Sequence, residues 1–435
     1  MVRKVLYNML LWLAVPFVAL HYGAKMIGAG KYRKGLGQRF GILPSEVLAG
    51  MSGSPRIWVH AVSVGEVTAA APVIASLKDQ FPDACIVLST GTETGQEMAR
   101  RIVTAAAAFI LYPLDISFVV RKAIDRIRPD LFLLLETELW PNFIRYCRLT
   151  GVKIVMANGR LSPRSFRRYA LTRFFWKGIL DAIEEVGVIS ETDAERFRFL
   201  GVPADRVHVF GNAKYDSLAA QASPSLHEEI GARLNIVPGD RVLVAGSTHE
   251  GEEEVVFGVY RQLLATHADC MLIIVPRHIE RTQAVLALAS QNGFVDTVTM
   301  TEINRGRKRD GERIIVVDVI GELFRVYSLA SVVFCGGSLV PKGGQNVIEA
   351  AAWGKVVLYG PFMDDFWEER ELLEGAGAGM TVRDADELLK AIRNALDDPA
   401  SRDRRGARGR RLVAANMGAA GKHASLVGKV LTGKR

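Results

Sequence analysis

From Ile57 to about Asn212 the chain repeats one pattern, a short continuous apolar run followed by a helical stretch. The runs read IWVH, CIVLS, FILYPL, DLFLLLE, KIVMAN, VGVIS and VHVFGN. Continuous apolar runs separated by helices describe parallel strands, because a parallel strand needs a crossover connection and is buried on both faces. The rhythm lapses over residues 217–240, where Pro224 and Pro238 interrupt it and a linker containing a helix is expected. It restarts with VLVAGS, MLIIVP, RIIVVDV, VVFCGG and KVVLYG, followed by GMTV and a helical C-terminus. The expectation is therefore an α/β protein of two Rossmann-like domains, residues 41–216 and 241–435, facing a cleft that takes a ligand. Residues 1–40 stand apart.

That first segment opens on Val5–Gly23, 19 residues without a charge, close to the roughly 20 that span a bilayer. Asn8, Pro16 and His21 weaken a spanning helix, so a helix lying in the interface and a cleaved signal stay open beside it. Lys25, Lys31, Arg33, Lys34 and Arg39 outnumber Arg3 and Lys4, which places the following domains on the cytoplasmic side if the segment is a membrane anchor. Charge is sorted along the chain: residues 1–40 carry seven Lys/Arg and no acid, and residues 160–177 carry six and none. No helix-turn-helix, zinc finger or RNA-binding motif accompanies these blocks, so an anionic membrane surface fits better than nucleic acid. The four cysteines form neither a CxxC nor a Cys/His cluster, which argues against zinc and against a disulfide framework.

Candidate chemistry gathers where strands end, because open parallel sheets bind ligands at the carboxyl ends of their strands. Glu66 closes the run WVHAVSVGE, at a strand-to-helix junction; its plainer reading is a helix-dipole complement. Glu136 and Glu138 follow the fourth strand ahead of Pro141, and Glu136 is nearer the strand. Arg160, Arg164, Arg167 and Arg168 alternate with Phe166 and Tyr169, suiting phosphates beside an apolar layer. Lys214 follows another strand, where a cation could neutralise developing charge. In the second half, the amides around Ser247 could hold an anion, and Pro276 and Arg277 end a strand where a guanidinium can grip phosphate. Ile320, Gly321 and Glu322 lead into a helix. Gly343 and Gly344 let the backbone approach a phosphate, and Asn346 and Glu349 are expected on one face of the next helix, suited to phosphate and ribose. There is no GxxxxGK[ST], GxSxG or HExxH motif. Asp364 and Asp365 could bind a divalent ion but read better as a cap, so no metal is expected.

Taken in order, HAVSVGE, STGTETG, ETELWPN, NGRLSPRSFRRY, GNAKYD, GSTHEGEE, VPRH, IGEL and GGSLVPKGGQN with its following Glu resemble the 3-deoxy-D-manno-octulosonic acid (Kdo) transferases of Gram-negative bacteria. The resemblance runs from about Tyr32 to Phe366. It implies a glycosyltransferase of GT-B type, moving Kdo with inversion from CMP-Kdo to a phosphorylated, acylated disaccharide lipid at the cytoplasmic face of the inner membrane. It further implies Glu66 as general base and Glu136 and Lys214 as transition-state stabilisers. Pro276, Arg277, Ile320–Glu322, Asn346, Val347, Ile348 and Glu349 would hold CMP, with no cofactor beyond this donor. Lys342, Gln345 and Val347 depart from the family pattern around the nucleotide. Two alternatives stand beside this reading: another nucleotide-sugar transferase acting on a lipid, and a nonenzymatic, membrane-docked nucleotide-binding protein.

Overall fold

The structure, a computed structural model, describes Val5, Tyr7–Met9, Leu11–Leu13 and residues 35–433. Most of the expected anchor over 5–23, together with Lys25, Lys31, Arg33 and Lys34, lies outside them. Among the described residues no helix is long and apolar enough to cross a membrane. The described N-terminal residues touch the first domain: the Tyr7 hydroxyl donates to Asp115 (2.8 Å), and the Asn142 amide donates to Asn8 (3.0 Å).

The chain divides into two compact units, Met1–Ser217 with Met417–Arg435, and Leu218–Asn416. In the first, the described residues form a seven-stranded sheet of β1 (Arg56–His60), β2 (Cys85–Thr90), β3 (Ala108–Leu111), β4 (Leu131–Leu135), β5 (Lys153–Gly159), β6 (Glu185–Val188) and β7 (Val207–Val209). Its order is β3-β2-β1-β4-β5-β6-β7 and every pairing is parallel. Side chains alternate across the sheet as a period of two requires. Trp58, Phe132 and Leu134 enter one core, while Ile57, Val59, Leu131 and Leu133 enter the other. Each strand of the sequence reading is present. β3 stops before Pro113, which has no amide to extend the ladder.

The second unit carries β8 (Val242–Thr248), β9 (Met271–Pro276), β10 (Thr297–Thr299), β11 (Ile314–Val316), β12 (Val332–Cys335), β13 (Val356–Tyr359) and β14 (Gly379–Thr381). They form a parallel sheet in the order β10-β11-β9-β8-β12-β13-β14. β10 escapes sequence reading because a three-residue edge strand that begins and ends with threonine lacks an apolar run.

One boundary differs from expectation. Residues 417–435 belong with the first unit rather than with 241–416. The helix Ala419–Thr432 sends Ala420, Ala424, Leu426 and Val427 into the core that also holds Val67, Ala70 and Val73 of the helix Val64–Gln80. Alanines at that contact permit close approach of the two helices, and face complementarity overrides order along the chain. Asp216 accepts from the backbone amides of Gly418 and Ala420, the latter at 2.6 Å, and so secures the start of that helix.

Candidate active site

β1 ends at His60 and the chain turns into the helix Val64–Gln80 with Ser63 as its N-cap. Glu66 stands in the first turn and is only 8% exposed. Its carboxylate accepts from the Val62 amide (2.7 Å) and the Ser63 hydroxyl (3.1 Å). Glu66 therefore stands in the first turn, where a helix-dipole complement would stand, and its carboxylate also closes that turn. Burial nevertheless pushes its carboxyl up to about 7, with Glu136 and Glu138 adding repulsion and the two hydrogen bonds opposing. Pro72 sits in the middle of this helix.

Glu136 follows the last residue of β4 and adopts φ 57°, a conformation that costs a non-glycine residue about 1–3 kcal/mol and is concentrated at functional sites. Lys214 approaches from beyond β7, its Nζ 2.8 Å from Glu136 Oε1. The same ammonium lies 3.9 Å from where a Cβ on Gly65 would stand, which brings it beside the Glu66 turn. Glu66, Glu136 and Lys214 thus converge within the first unit. Glu138 joins them electrostatically, its carboxyl raised by burial and by Glu136. The geometry combines a carboxyl titrating near neutrality with a fixed cation, as proton abstraction with charge stabilisation requires.

The residues expected at the nucleotide are gathered within the second unit only in part. Ser247, at the end of β8, is buried and has φ 55°. The Arg277 amide donates to Thr248 O (2.9 Å), which fixes the start of the Arg277 loop against β8 while leaving Arg277 exposed. The Asn346 amide donates to Glu349 Oε1 (3.0 Å), and Asn346 Oδ1 accepts from the Ile348 amide. The partly buried Glu349 carboxyl is pushed up to about 7 by desolvation, opposed by Asn346 and by the Arg277 charge, so these three residues share one neighbourhood. Gly343 and Gly344 have φ 86° and 82° and approach Asp365 and Met363 too closely to carry a Cβ.

Three expectations change here. The helix after the glycine loop spans Ile348–Ala352 with Val347 as its N-cap, so Asn346 lies ahead of the helix and not on it, although its side chain still meets Glu349. Val347 and Ile348 are core residues, 0% and 1% exposed, which leaves only their backbone for a ligand. Glu322 is engaged in an ion pair with Arg233, while neighbouring Ile320 is 76% exposed. Among the described residues no cluster of three or more His, Cys, Asp or Glu side chains could hold a metal ion. A cavity of about 540 Å³ lies elsewhere in the first unit, lined by Tyr7, Ile144, Arg145, Arg148, Phe175 and Ile179 among others, and none of the clustered acids borders it.

Comparison with known proteins bears on this arrangement. The family model described as 3-deoxy-D-manno-octulosonic-acid transferase (kdotransferase) matches residues 34–217. A protein from Haemophilus influenzae named 3-deoxy-D-manno-octulosonic acid transferase is 31% identical over 95% of this chain and 95% of its own length. One of the same name from Chlamydophila psittaci is 31% identical over 86% of this chain and 84% of its own. Among solved structures, UDP-GlcNAc 2-epimerase from Neisseria meningitidis superposes with a TM-score of 0.59, covering 87% of this chain and 100% of that one, at 13% identity. A glycosyltransferase from Rickettsia africae gives 0.58, with 87% and 99% covered, also at 13%. At that identity these two likenesses speak to the two-sheet fold alone. The relatives that align along nearly the whole chain make it a member of the 3-deoxy-D-manno-octulosonic acid transferase family.

Proposed function

We propose that this protein is an inverting glycosyltransferase that moves Kdo from CMP-Kdo to a phosphorylated, acylated disaccharide, the lipid A precursor, in lipopolysaccharide biosynthesis. The observation that carries the reading is the Glu66 carboxyl, raised to about 7 beside the Lys214–Glu136 pair in a chain of this family. In the reaction Glu66 takes the proton of an acceptor hydroxyl, and the freed oxygen forms a bond to the anomeric carbon of Kdo. The bond from that carbon to the phosphate breaks, and CMP leaves with the electron pair. Lys214, held by Glu136, offsets charge that builds during attack, while Arg277 steadies the departing phosphate. A nucleoside monophosphate already carrying charge is a competent leaving group, so the reaction is proposed to need no metal.

Ser247, Pro276, Arg277, Ile320–Glu322, Gly343, Gly344 and Asn346–Glu349 are proposed to receive CMP, with Val347 and Ile348 contributing backbone only. Acid and nucleotide residues belong to different units, so the transfer requires both.

The acceptor carries phosphates and acyl chains and resides in a membrane. Support for docking there comes from the helices Pro163–Leu171 and Arg173–Leu180, where Arg164, Arg167, Arg168, Arg173 and Lys177 are exposed beside Leu171 (83% exposed) and Phe174 (63%). Arginine with solvent-facing apolar side chains suits an anionic headgroup layer. The N-terminal segment is proposed as the single anchor, with the catalytic units on the cytoplasmic side of the bacterial inner membrane.

Mass spectrometry of products from CMP-Kdo and the tetraacyl disaccharide tests the reading. Addition of one or more Kdo residues supports it, whereas unconsumed donor with an intact preparation removes it. Calorimetric titration with CMP and UDP separates this donor class from a UDP-sugar transferase.

A further inference from the structure

The motif GSTHEGEE contributes Ser247 to the proposed nucleotide site, but its two closing acids have no assigned part. Glu252 and Glu253 open the 13-residue helix Glu252–Leu264, and both are 0% exposed. Acids in a first turn ordinarily face water and interact with the helix dipole from there. These two face inward, and successive helical residues point in directions about 100° apart, so each reaches a different loop.

Glu252 is surrounded by backbone donors. Its Oε1 accepts from the amides of Ser338 and Leu339, both at 2.9 Å, and its Oε2 from Gly337 at 2.6 Å and His249 at 3.0 Å. Gly336 fits beneath them because a Cβ there would lie 2.6 Å from Ser247 O and 2.9 Å from Glu252 Oε2. The carboxylate therefore fills the anion-holding position that these glycine-loop amides would otherwise offer. A phosphate must be met by other groups, because the Gly337–Leu339 amides are already spent. Glu253 turns to the other side, where Arg281 Nη1 stands 3.3 Å from Oε1 and 3.2 Å from Oε2. Arg281 lies four residues beyond Arg277, at the end of the loop that follows β9.

We propose that Glu252 and Glu253 are positioning residues for the sugar-nucleotide donor. Anchored on one helix end, they fix the loop leading to Gly343–Asn346 and the loop bearing Arg277 at a set spacing, without touching the donor themselves. Stability alone accounts poorly for the pair, since buried carboxylates carry a desolvation cost that hydrogen bonds and ion pairs only offset. A negative charge beneath a phosphate-binding loop also opposes the ligand electrostatically, so what it contributes to binding is shape. The inference rests on the CMP reading of this unit.

The test uses the full chain with Glu252→Gln and Glu253→Gln. Glutamine at 252 presents an amide NH₂ to amides that need an acceptor, so hydrogen exchange at Gly337–Leu339 should accelerate. CMP affinity and donor KM should worsen about ten- to hundredfold, the range set by losing hydrogen bonds to a charged group. Acceptor KM should stay unchanged, a split that general destabilisation does not produce. Faster exchange at 337–339 with wild-type CMP affinity overturns the proposal. If Glu252→Gln fails to fold, Glu253→Gln and Arg281→Ala carry the test through the second loop, and an unchanged donor KM in both overturns it. Failure of the wild-type chain to bind CMP removes the donor reading itself, an outcome distinct from equal binding by wild type and variants.

Discussion

Lys214 Nζ lies 2.8 Å from Glu136 Oε1, and Glu136 holds its side chain there from a left-handed backbone conformation. The strain and the ion pair serve the same end, placing one positive charge beside the Glu66 turn. Lys214→Ala and Glu136→Gln should each lower kcat about a hundredfold, the scale of losing one preorganised electrostatic group. The double variant should lose little more than either single one, because the pair acts as a unit. Single-turnover rates on the four proteins check this, and additive losses would separate the two residues.

Glu66 supplies a pH signature. Its carboxyl is held near 7 by burial and by Glu136 and Glu138, and the proposed base works only when ionised. The kcat/KM for transfer should rise with pH through about 7 and then level. Glu66→Gln should flatten that limb and cost about 10²–10⁴-fold in rate, the usual contribution of a general base. A pH–rate profile that keeps its limb in the Gln variant would assign it to another group.

Glu349 makes a prediction about stability. Its carboxyl rises from an ordinary 4.5 to about 7 on folding, so the folded unit binds its proton more tightly than the unfolded chain does. Stability from this group is complete below about pH 4.5 and is lost as pH climbs through about 7. Glu349→Gln should therefore raise the unfolding temperature at pH 8, and its advantage should shrink as pH falls toward 4.5. Thermal unfolding at several pH values measures the crossover, while weakened CMP binding in the same variant would report its proposed ribose contact.

The exposed arginines of Pro163–Leu171 bear on membrane docking. Replacing Arg164, Arg167 and Arg168 with Gln should weaken sedimentation with anionic vesicles by about 1 kcal/mol per charge. The loss should fade at high salt, where screening already removes the attraction. Turnover on a short, soluble acceptor analogue should be preserved. Equal vesicle binding by the variant at low salt would exclude this surface.

Much of the fold is legible in the sequence because parallel strands buried on both faces cannot disguise their apolar runs. IWVH and DLFLLLE announce β1 and β4, and their ends locate Glu66 and Glu136. The short strand Thr297–Thr299 is illegible for the opposite reason, having almost nothing apolar to show. Lys214 stands out as a cation after a strand, but its partner Glu136 lies 78 positions away, and only the sheet order brings them together. Asp216, two residues on, looks like an ordinary loop acid, and its role at Gly418 and Ala420 depends on contacts 202 and 204 positions away that no local pattern encodes. Glu252 and Glu253 read as dipole complements at a helix start, since sequence carries no sign that a first turn faces inward.

The return of Ala419–Thr432 to the helix Val64–Gln80 makes the second unit, in genetic terms, an insertion within the first. A ribosome must therefore read nearly two hundred codons for Leu218–Asn416 before it reaches the helix that seals the domain begun ahead of them. Stop codons that remove Ala419–Thr432 would consequently injure the acid-bearing domain made earlier, rather than the domain translated just before them.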